Sequence, residues 1–141
     1  MTLLQVYDKF NEIALKQPTI NEIIRSGNVY DLSTERDTKF GVFAVVQGIH
    51  SSDLDNGNTT YNLTLYYIDR QKSDGSNRIE IQSTGMETLK NILRTFIKET
   101  DSELSKADYQ VFVESFAQLC SGVYCTISII VEDDNCTTIF D

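Results

Sequence analysis

The sequence predicts an α+β fold, an antiparallel sheet of about four strands with two helices packed on one face. Three observations predict it. Residues 3–14 and 86–97 carry apolar side chains at helical spacing, several other segments alternate or are continuously apolar as strands are, and a tight-turn dipeptide joins two of these segments into a long β-hairpin. With 141 residues, of which 40% are hydrophobic, the chain is expected to form a single domain over residues 1–141.

The first predicted element is an amphipathic helix near the N-terminus. Thr2, with Gln5 three residues later, has the pattern of a capping box, and Pro18 is expected to end the helix. Its apolar face consists of Leu3, Val6, Tyr7, Phe10, Ile13 and Ala14. Residues 20–25 allow a short additional turn, and residues 28–32 are predicted to form the first strand.

The next two strands are predicted to form the hairpin. Residues 40–49 are nearly all apolar, which indicates a central strand buried on both faces. Residues 61–68 alternate between apolar and polar, and Asn56-Gly57 between the two segments is a strong tight-turn dipeptide. The hairpin could extend the sheet across subunits by edge pairing.

A polar loop at residues 71–77 leads into the second helix. Asn77 and Glu80 have the spacing of an N-cap and its reciprocal acid, whereas Gly85 is expected to weaken the first turns. The buried face of this helix is expected to consist of Met86, Leu89, Ile92, Leu93, Phe96 and Ile97.

The last third of the chain is predicted to be largely extended. Residues 109–116 fit either a strand or a helix, and we favour extended structure. After Gly122 the alternation is regular: Val123, Cys125, Ile127, Ile129 and Val131 are expected on one face, with Thr126 and Ser128 on the other.

The charge is unevenly distributed. The net charge is −9, and residues 99–141 contain nine acids and one base. Such an acidic balance argues against non-specific binding to DNA or to anionic lipid. Lys90, Arg94 and Lys98 fall at i, i+4 and i+8 of the second helix, and like charges so spaced favour acidic partners. The acidic last third and the basic positions of the helix each allow two interpretations: a solvated surface or an electrostatic role in assembly.

The residues needed for catalysis or for metal binding are sparse. The one histidine, His50, has no carboxylate at a motif spacing, and no phosphate loop or nucleophile motif is present, so we expect no enzyme and no cofactor. Asp53-x-Asp55 resembles the start of a calcium loop, but Thr64 stands where the bidentate Glu belongs, which favours a hairpin tip.

The expected compartment and the cysteine content agree with the expectation that the protein has no metal site. The N-terminus lacks a signal-peptide pattern, and no segment is long and apolar enough to span a bilayer. Cys120, Cys125 and Cys136 are therefore expected to be reduced thiols that pack as small apolar groups and bind no metal.

Residues 61–83 carry a resemblance to a known family. A strand ending in Tyr67-Ile-Asp-Arg, the loop Gln-Lys-Ser-Asp-Gly-Ser-Asn77 and a helix opening Ile-Glu-Ile-Gln-Ser83 resemble the small tail-terminator-like proteins of tailed phages that infect Bacteroidota, including the crAss-like type. The turn at 18–21, the strand at 27–32 and the Gly-led last strand followed by Cys136 are similar to that family in the same order. Lys39-Phe-Gly41 stands where the family usually has an aromatic residue and a proline.

The resemblance implies a tail-terminator-like domain in a virion structural protein. Such a protein forms a hexameric or dodecameric ring at the head–tail junction or proximal tail and contacts other connector, portal or tail proteins. DNA passes through the lumen without specific binding, and assembly takes place in the host cytoplasm. The candidate subunit-interface residues are Lys90, Arg94, Lys98, Asp69, Arg70, Lys72, Asp74 and Asn77. Two alternatives stay open: a non-enzymatic binding module that uses the 69–77 loop, and a hydrolase that depends on His50.

Overall fold

The computed structural model describes residues 1–29, 39–115 and 119–133 and shows an α+β fold with two helices and one sheet. In chain order the elements are α1 (Leu3–Leu15), β1 (Glu22–Ile24), β2 (Val42–Gln47), β3 (Ser51–Asp53), β4 (Asn58–Arg70), α2 (Arg78–Thr100), β5 (Glu103–Ser115) and β6 (Leu119–Glu132). A strand was predicted over residues 28–32, but residues 28 and 29 are not in a strand, and residues 30–32 lie outside the described residues, as does Cys136.

The sheet is larger than predicted and is mixed. Its six strands follow the order β1-β2-β4-β6-β5, and β3 pairs with the first residues of β4. The prediction of about four antiparallel strands was wrong in two respects: β1 and β3 were not foreseen, and β1 runs parallel to β2. Residues 22–24 form β1, not a helical turn, because pairing with Val42–Ala44 supplies their backbone hydrogen bonds. A strand of three residues is too short to show a period of its own.

The predicted hairpin is confirmed. β2 pairs with β4 in antiparallel register, and Asn56-Gly57 lies in the turn that joins β3 to β4. Gly57 has a φ of 69°, a conformation that glycine adopts without strain. β4 is paired on both sides, with β2 and β3 on one side and with β6 on the other. Among the described residues, β3 and the second half of β2 have no strand on their outer side, so edge pairing of the hairpin across subunits stays a prediction.

The two helices begin differently. At α1 the capping box is confirmed: the Thr2 side chain accepts from the Gln5 N–H at 3.2 Å, and the Gln5 side chain accepts from the Thr2 N–H at 2.8 Å. Asn77 precedes α2 as predicted, but its side chain makes no capping hydrogen bond. It accepts instead from the backbone N–H of Lys72, because the loop closes back on itself.

Both helices pack on the same face of the sheet, as predicted. In the centre of this covered face, Phe10 of α1 stacks on Phe96 of α2 with ring centroids 4.0 Å apart, and both side chains are fully buried. Gly85 does not shorten α2, because the helix starts seven residues earlier, at Arg78. The small size of Gly85 lets the helix approach Tyr67 of β4: a Cβ added at Gly85 would lie 2.7 Å from the Tyr67 ring. The extended conformation favoured for residues 109–116 is confirmed as far as residue 115.

Candidate subunit interface

The structure places the predicted interface residues in two separate groups. Lys90, Arg94 and Lys98 lie along α2, whereas the other five lie at the end of β4 and in the loop before α2. From Asn77 to Lys90 the helix rises by about 20 Å, at 1.5 Å per residue. The two groups therefore do not form one site, and each is described by itself.

The α2 group, called here the basic stripe, consists of Lys90, Arg94 and Lys98. At 100° per residue these positions fall opposite the side of α2 that carries the buried residues Leu89, Ile92 and Phe96. Arg94 and Lys98 are exposed, and the Lys90 ammonium lies 3.5 Å from a carboxylate oxygen of Glu87. The stripe thus presents positive charge to solvent at its C-terminal end and a partly neutralised pair at its other end.

The loop group is held by hydrogen bonds that the loop makes with itself. The Asn77 carboxamide accepts from the Lys72 N–H at 2.8 Å and donates to the Arg70 carbonyl at 3.3 Å. Asp74 accepts from the Ser76 N–H at 2.9 Å, and hydrogen bonding by Ser76 lowers the pKa of that carboxyl. The loop is therefore built by its own polar residues, and Asn77 orders the loop where the sequence predicted that it capped α2.

A cleft of about 800 Å³ borders the loop. Its described lining is Arg70, Gln71, Lys72, Ser73, Asp74, Asn77 and Leu119. Two hydrogen bonds hold Gln71 in place beside the cleft. The Gln71 N–H donates to the Leu119 carbonyl at 2.9 Å, and the Gln71 side-chain oxygen accepts from the Arg78 guanidinium at 3.1 Å. The cleft offers polar groups of both charge signs to a binding partner.

Acidic residues are grouped at the end of the subunit opposite the 69–77 loop. Only part of this group was identified from the sequence. β3 pairs with the start of β4, the start of β4 pairs with the end of β6, and the end of β6 pairs with the start of β5. The hairpin tip therefore lies at the same end of the sheet as the start of β5 and the C-terminus of α2, which directly precedes β5. This acidic end consists of Asp53, Asp55, Asp101, Glu103, Glu132 and Asp133. The N-terminal ammonium lies there as well and donates to the Glu132 carbonyl at 3.0 Å. The Asn56-Gly57 turn was the signal that could have added Asp53 and Asp55 to the group.

His50 has structural partners for both ring nitrogens. Nδ1 accepts from the Asn62 N–H at 3.2 Å, and Nε2 lies 3.3 Å from the Gln47 side-chain oxygen. The ring meets Tyr61 edge-on with centroids 5.2 Å apart. These contacts give His50 a role in holding the link after β2 against β4.

The two described cysteines are buried thiols. Burial raises the pKa of both Cys120 and Cys125 to about 11, so both are protonated at neutral pH. Within residues 1–29, 39–115 and 119–133, no three His, Cys, Asp or Glu side chains are grouped so as to hold a metal ion. Asp53 accepts hydrogen bonds from the backbone and side chain of Asn56, as a turn residue does.

Comparison with known proteins returned no match, either to a protein-family model or to a curated protein. The similarity to phage tail-terminator-like proteins therefore depends on the motifs quoted above and stays a prediction. Neither α1 nor α2, the helices of the described chain, has an apolar stretch long enough to cross a membrane.

Proposed function

We propose that the protein is a virion structural protein that forms a homo-oligomeric ring at the head–tail junction or proximal tail of a phage. The observation that carries the proposal is the presence on one subunit of two surfaces of opposite charge, the basic stripe along α2 and the acidic end, which adjoin where α2 ends at Asp101. A closed ring needs two different, mutually complementary surfaces on every subunit. The basic stripe of one subunit and the acidic end of the next supply such a pair.

The geometry of α2 supports this arrangement. The helix is 23 residues long, which corresponds to about 34 Å, and it runs from the loop to the acidic end. The stripe therefore lies on the side of the subunit, where it can meet a neighbour in the ring. The loop lies at the far end, where Arg70, Lys72, Asp74 and Asn77 contact the adjoining connector, portal or tail protein.

The overall charge suits a channel for DNA. With a net charge of −9, the ring repels the phosphates of a passing genome and does not hold them. Contacts between charged surfaces also determine which neighbour is accepted, because juxtaposed like charges are unfavourable. Both effects weaken as salt increases.

A charge-reversal variant tests the proposal. Lys90→Glu, Arg94→Glu and Lys98→Glu together reverse the basic stripe and should abolish ring formation, measured by mass photometry at low salt. The matched control is Lys16→Glu, Arg25→Glu and Lys39→Glu, which changes the net charge equally at exposed positions outside the stripe. Equal ring formation by both variants would overturn the proposed interface.

One observation favours the alternative, a small binding module: the cleft of about 800 Å³ beside the 69–77 loop. A module of this kind binds a ligand or a peptide through Lys72 and Asn77 while the protein stays monomeric. Backbone NMR shifts measured during a screen of anionic fragments separate the two functions. Shifts confined to residues 70–78 of a monomer would support the module, and a ring whose mass is unaffected by fragments would support the connector.

A further inference from the structure

The edge of the sheet formed by β5 is long and regular. Within the described part of the chain, β5 pairs only with β6, so the backbone N–H and C=O groups on its outer side have no strand partner. The strand has 13 residues, and its one irregularity lies between Leu104 and Lys106, which leaves residues 106–114 in unbroken register. Natural proteins usually shorten, bend or cover such an edge, because it can pair with another chain.

The side chains of this edge alternate between apolar and polar. Ala107, Tyr109, Val111 and Val113 point to the helix-bearing face, since their partners on β6 include Val123 and Cys125 of the core. Val111 and Val113 are 46% and 44% exposed, although strand valines are usually buried. The other face of the same edge carries Lys106, Asp108, Gln110, Phe112 and Glu114.

This pattern is complementary to itself in one register. When two copies of β5 run antiparallel with Gln110 opposite Gln110, Lys106 lies opposite Glu114 twice, once on each side of the two-fold axis. In the same register Tyr109 lies opposite Val111, and Ala107 lies opposite Val113, so the apolar side chains of the helix-bearing face meet each other. On the other face Phe112 lies opposite Asp108.

Neighbouring registers are worse. Moving the axis to Val111 places Asp108 opposite Glu114, and moving it to Asp108 places that carboxylate opposite its own copy. Like charges directly opposite each other destabilise a strand pair. The register centred on Tyr109 has no such clash, but it places Lys106 opposite Phe112 and so loses both Lys–Glu pairs. The charges of β5 therefore favour the register that is centred on Gln110.

We propose that a second copy of this chain binds the β5 edge through this two-fold antiparallel pairing, which joins two six-stranded sheets into one of twelve strands. The contact buries the exposed valines, pairs the outer backbone groups and closes on itself, so it leaves no β5 edge for further addition. It uses a different surface from the basic stripe and the acidic end, and it stands whether or not the protein forms a ring.

Site-specific crosslinking tests the register. Cα atoms directly opposite each other in an antiparallel pair are about 4.5–5.5 Å apart, within the range of a disulfide. In a Cys136→Ser background, Gln110→Cys should give a disulfide-linked dimer under mild oxidation. Asp108→Cys is the control, because its symmetry mate lies about four residues, or roughly 14 Å, along the strand. Equal crosslinking at the two positions, or none at Gln110→Cys, would overturn the proposal.

A charge swap tests the same contact without crosslinking. Lys106→Glu and Glu114→Lys, each alone, should weaken the dimer about tenfold in Kd, because each places like charges together at two symmetric positions. The double variant should restore the Kd, measured by sedimentation at low micromolar concentration, and circular dichroism checks that each variant is folded. Glu103→Lys, outside the paired segment, should have the wild-type Kd. A double variant no tighter than the singles would contradict the register.

Discussion

The two faces of the sheet differ in how many of their residues are buried in an apolar core. On the covered face, alternate residues of β4 and β6 join α1 and α2 in one continuous core that includes Leu63, Leu65, Ile127 and Ile129. On the opposite face, a small cluster around Val42 and Ile68 gives way to polar side chains in the middle of the sheet.

The middle of the opposite face is held by hydrogen bonds between polar side chains and by contacts between aromatic rings. Asn62 of β4 accepts from the Ser128 hydroxyl of β6, and Thr64 lies directly opposite Thr126. Aromatic contacts continue the row, with the ring centroids of Tyr66 and Tyr124 5.4 Å apart. The covered face therefore accounts for the fold, and the proposed contacts with other molecules belong to an edge, a helix exterior and two ends of the subunit.

The largest predicted difference between the faces comes from removing an aromatic ring. Phe96→Ala should lower the free energy of unfolding by about 3–5 kcal/mol, because it leaves a cavity beside Phe10 in a fully buried site. Phe112→Ala on the opposite face removes a partly exposed ring and should cost less than about 2 kcal/mol. Urea denaturation measures both, and equal losses would contradict the assignment of the main core to the covered face.

High pH should destabilise the protein next most strongly, because two buried thiols and one half-buried phenol lose their protons over the same pH range. The pKa of Cys120 and of Cys125 is raised by burial from 9.0 to about 11, and that of Tyr109 from 10.0 to about 12. A raised folded-state pKa contributes stability that is complete below the unfolded-state pKa and is lost as pH rises through the folded value. The free energy of unfolding should therefore fall from pH 9 to pH 12, and Cys125→Ala should make that decline shallower.

Gly85→Ala should lower the free energy of unfolding by about 1–3 kcal/mol. Alanine favours helix formation, but its Cβ would lie 2.7 Å from the Tyr67 ring and 3.1 Å from Val123, so α2 must move away from the sheet. Ser83→Ala, exposed on the same helix, is the control and should be neutral or slightly stabilising. Thermal denaturation distinguishes them, and a stabilising Gly85→Ala would refute the close approach.

The smallest predicted effect is a gain. The side chain of Asn11 is buried on α1 and has no hydrogen-bond partner among the residues that the structure describes, which is unfavourable for an amide. Asn11→Ala should raise the free energy of unfolding by about 1 kcal/mol, because it removes the unpaired group and improves helix propensity. Asn91→Ala, at an exposed position of α2, is the matched control, and a clear loss in Asn11→Ala would point to an undetected role for the amide.

The elements that form the covered face could be predicted from the sequence because the patterns that identify them are local. The capping box at Thr2, the helical spacing in α1 and α2, and the alternation after Gly122 each depend on a few neighbouring residues. The Asn56-Gly57 dipeptide likewise marked the turn before β4, although β3 itself was not foreseen. The two helices, β4 and β6 supply most of the main core.

The missed features depend on partners that are distant in the chain. β1 is a strand only because β2 lies beside it, and β5 is an edge only because β6 pairs with β4. Asn77 was misassigned because an N-cap and a residue that closes a loop have the same sequence signature. The strand order likewise places the acidic hairpin tip at the same end of the sheet as acidic residues from the last third of the chain.

The central claim is that the subunit assembles into a ring through opposite charges on its two surfaces, and the mass of the wild-type protein in solution tests it most directly. Mass photometry from low to high salt should show a closed species of one defined mass, hexameric or dodecameric, that dissociates as salt increases. Masses no larger than a dimer at every salt concentration would contradict the ring.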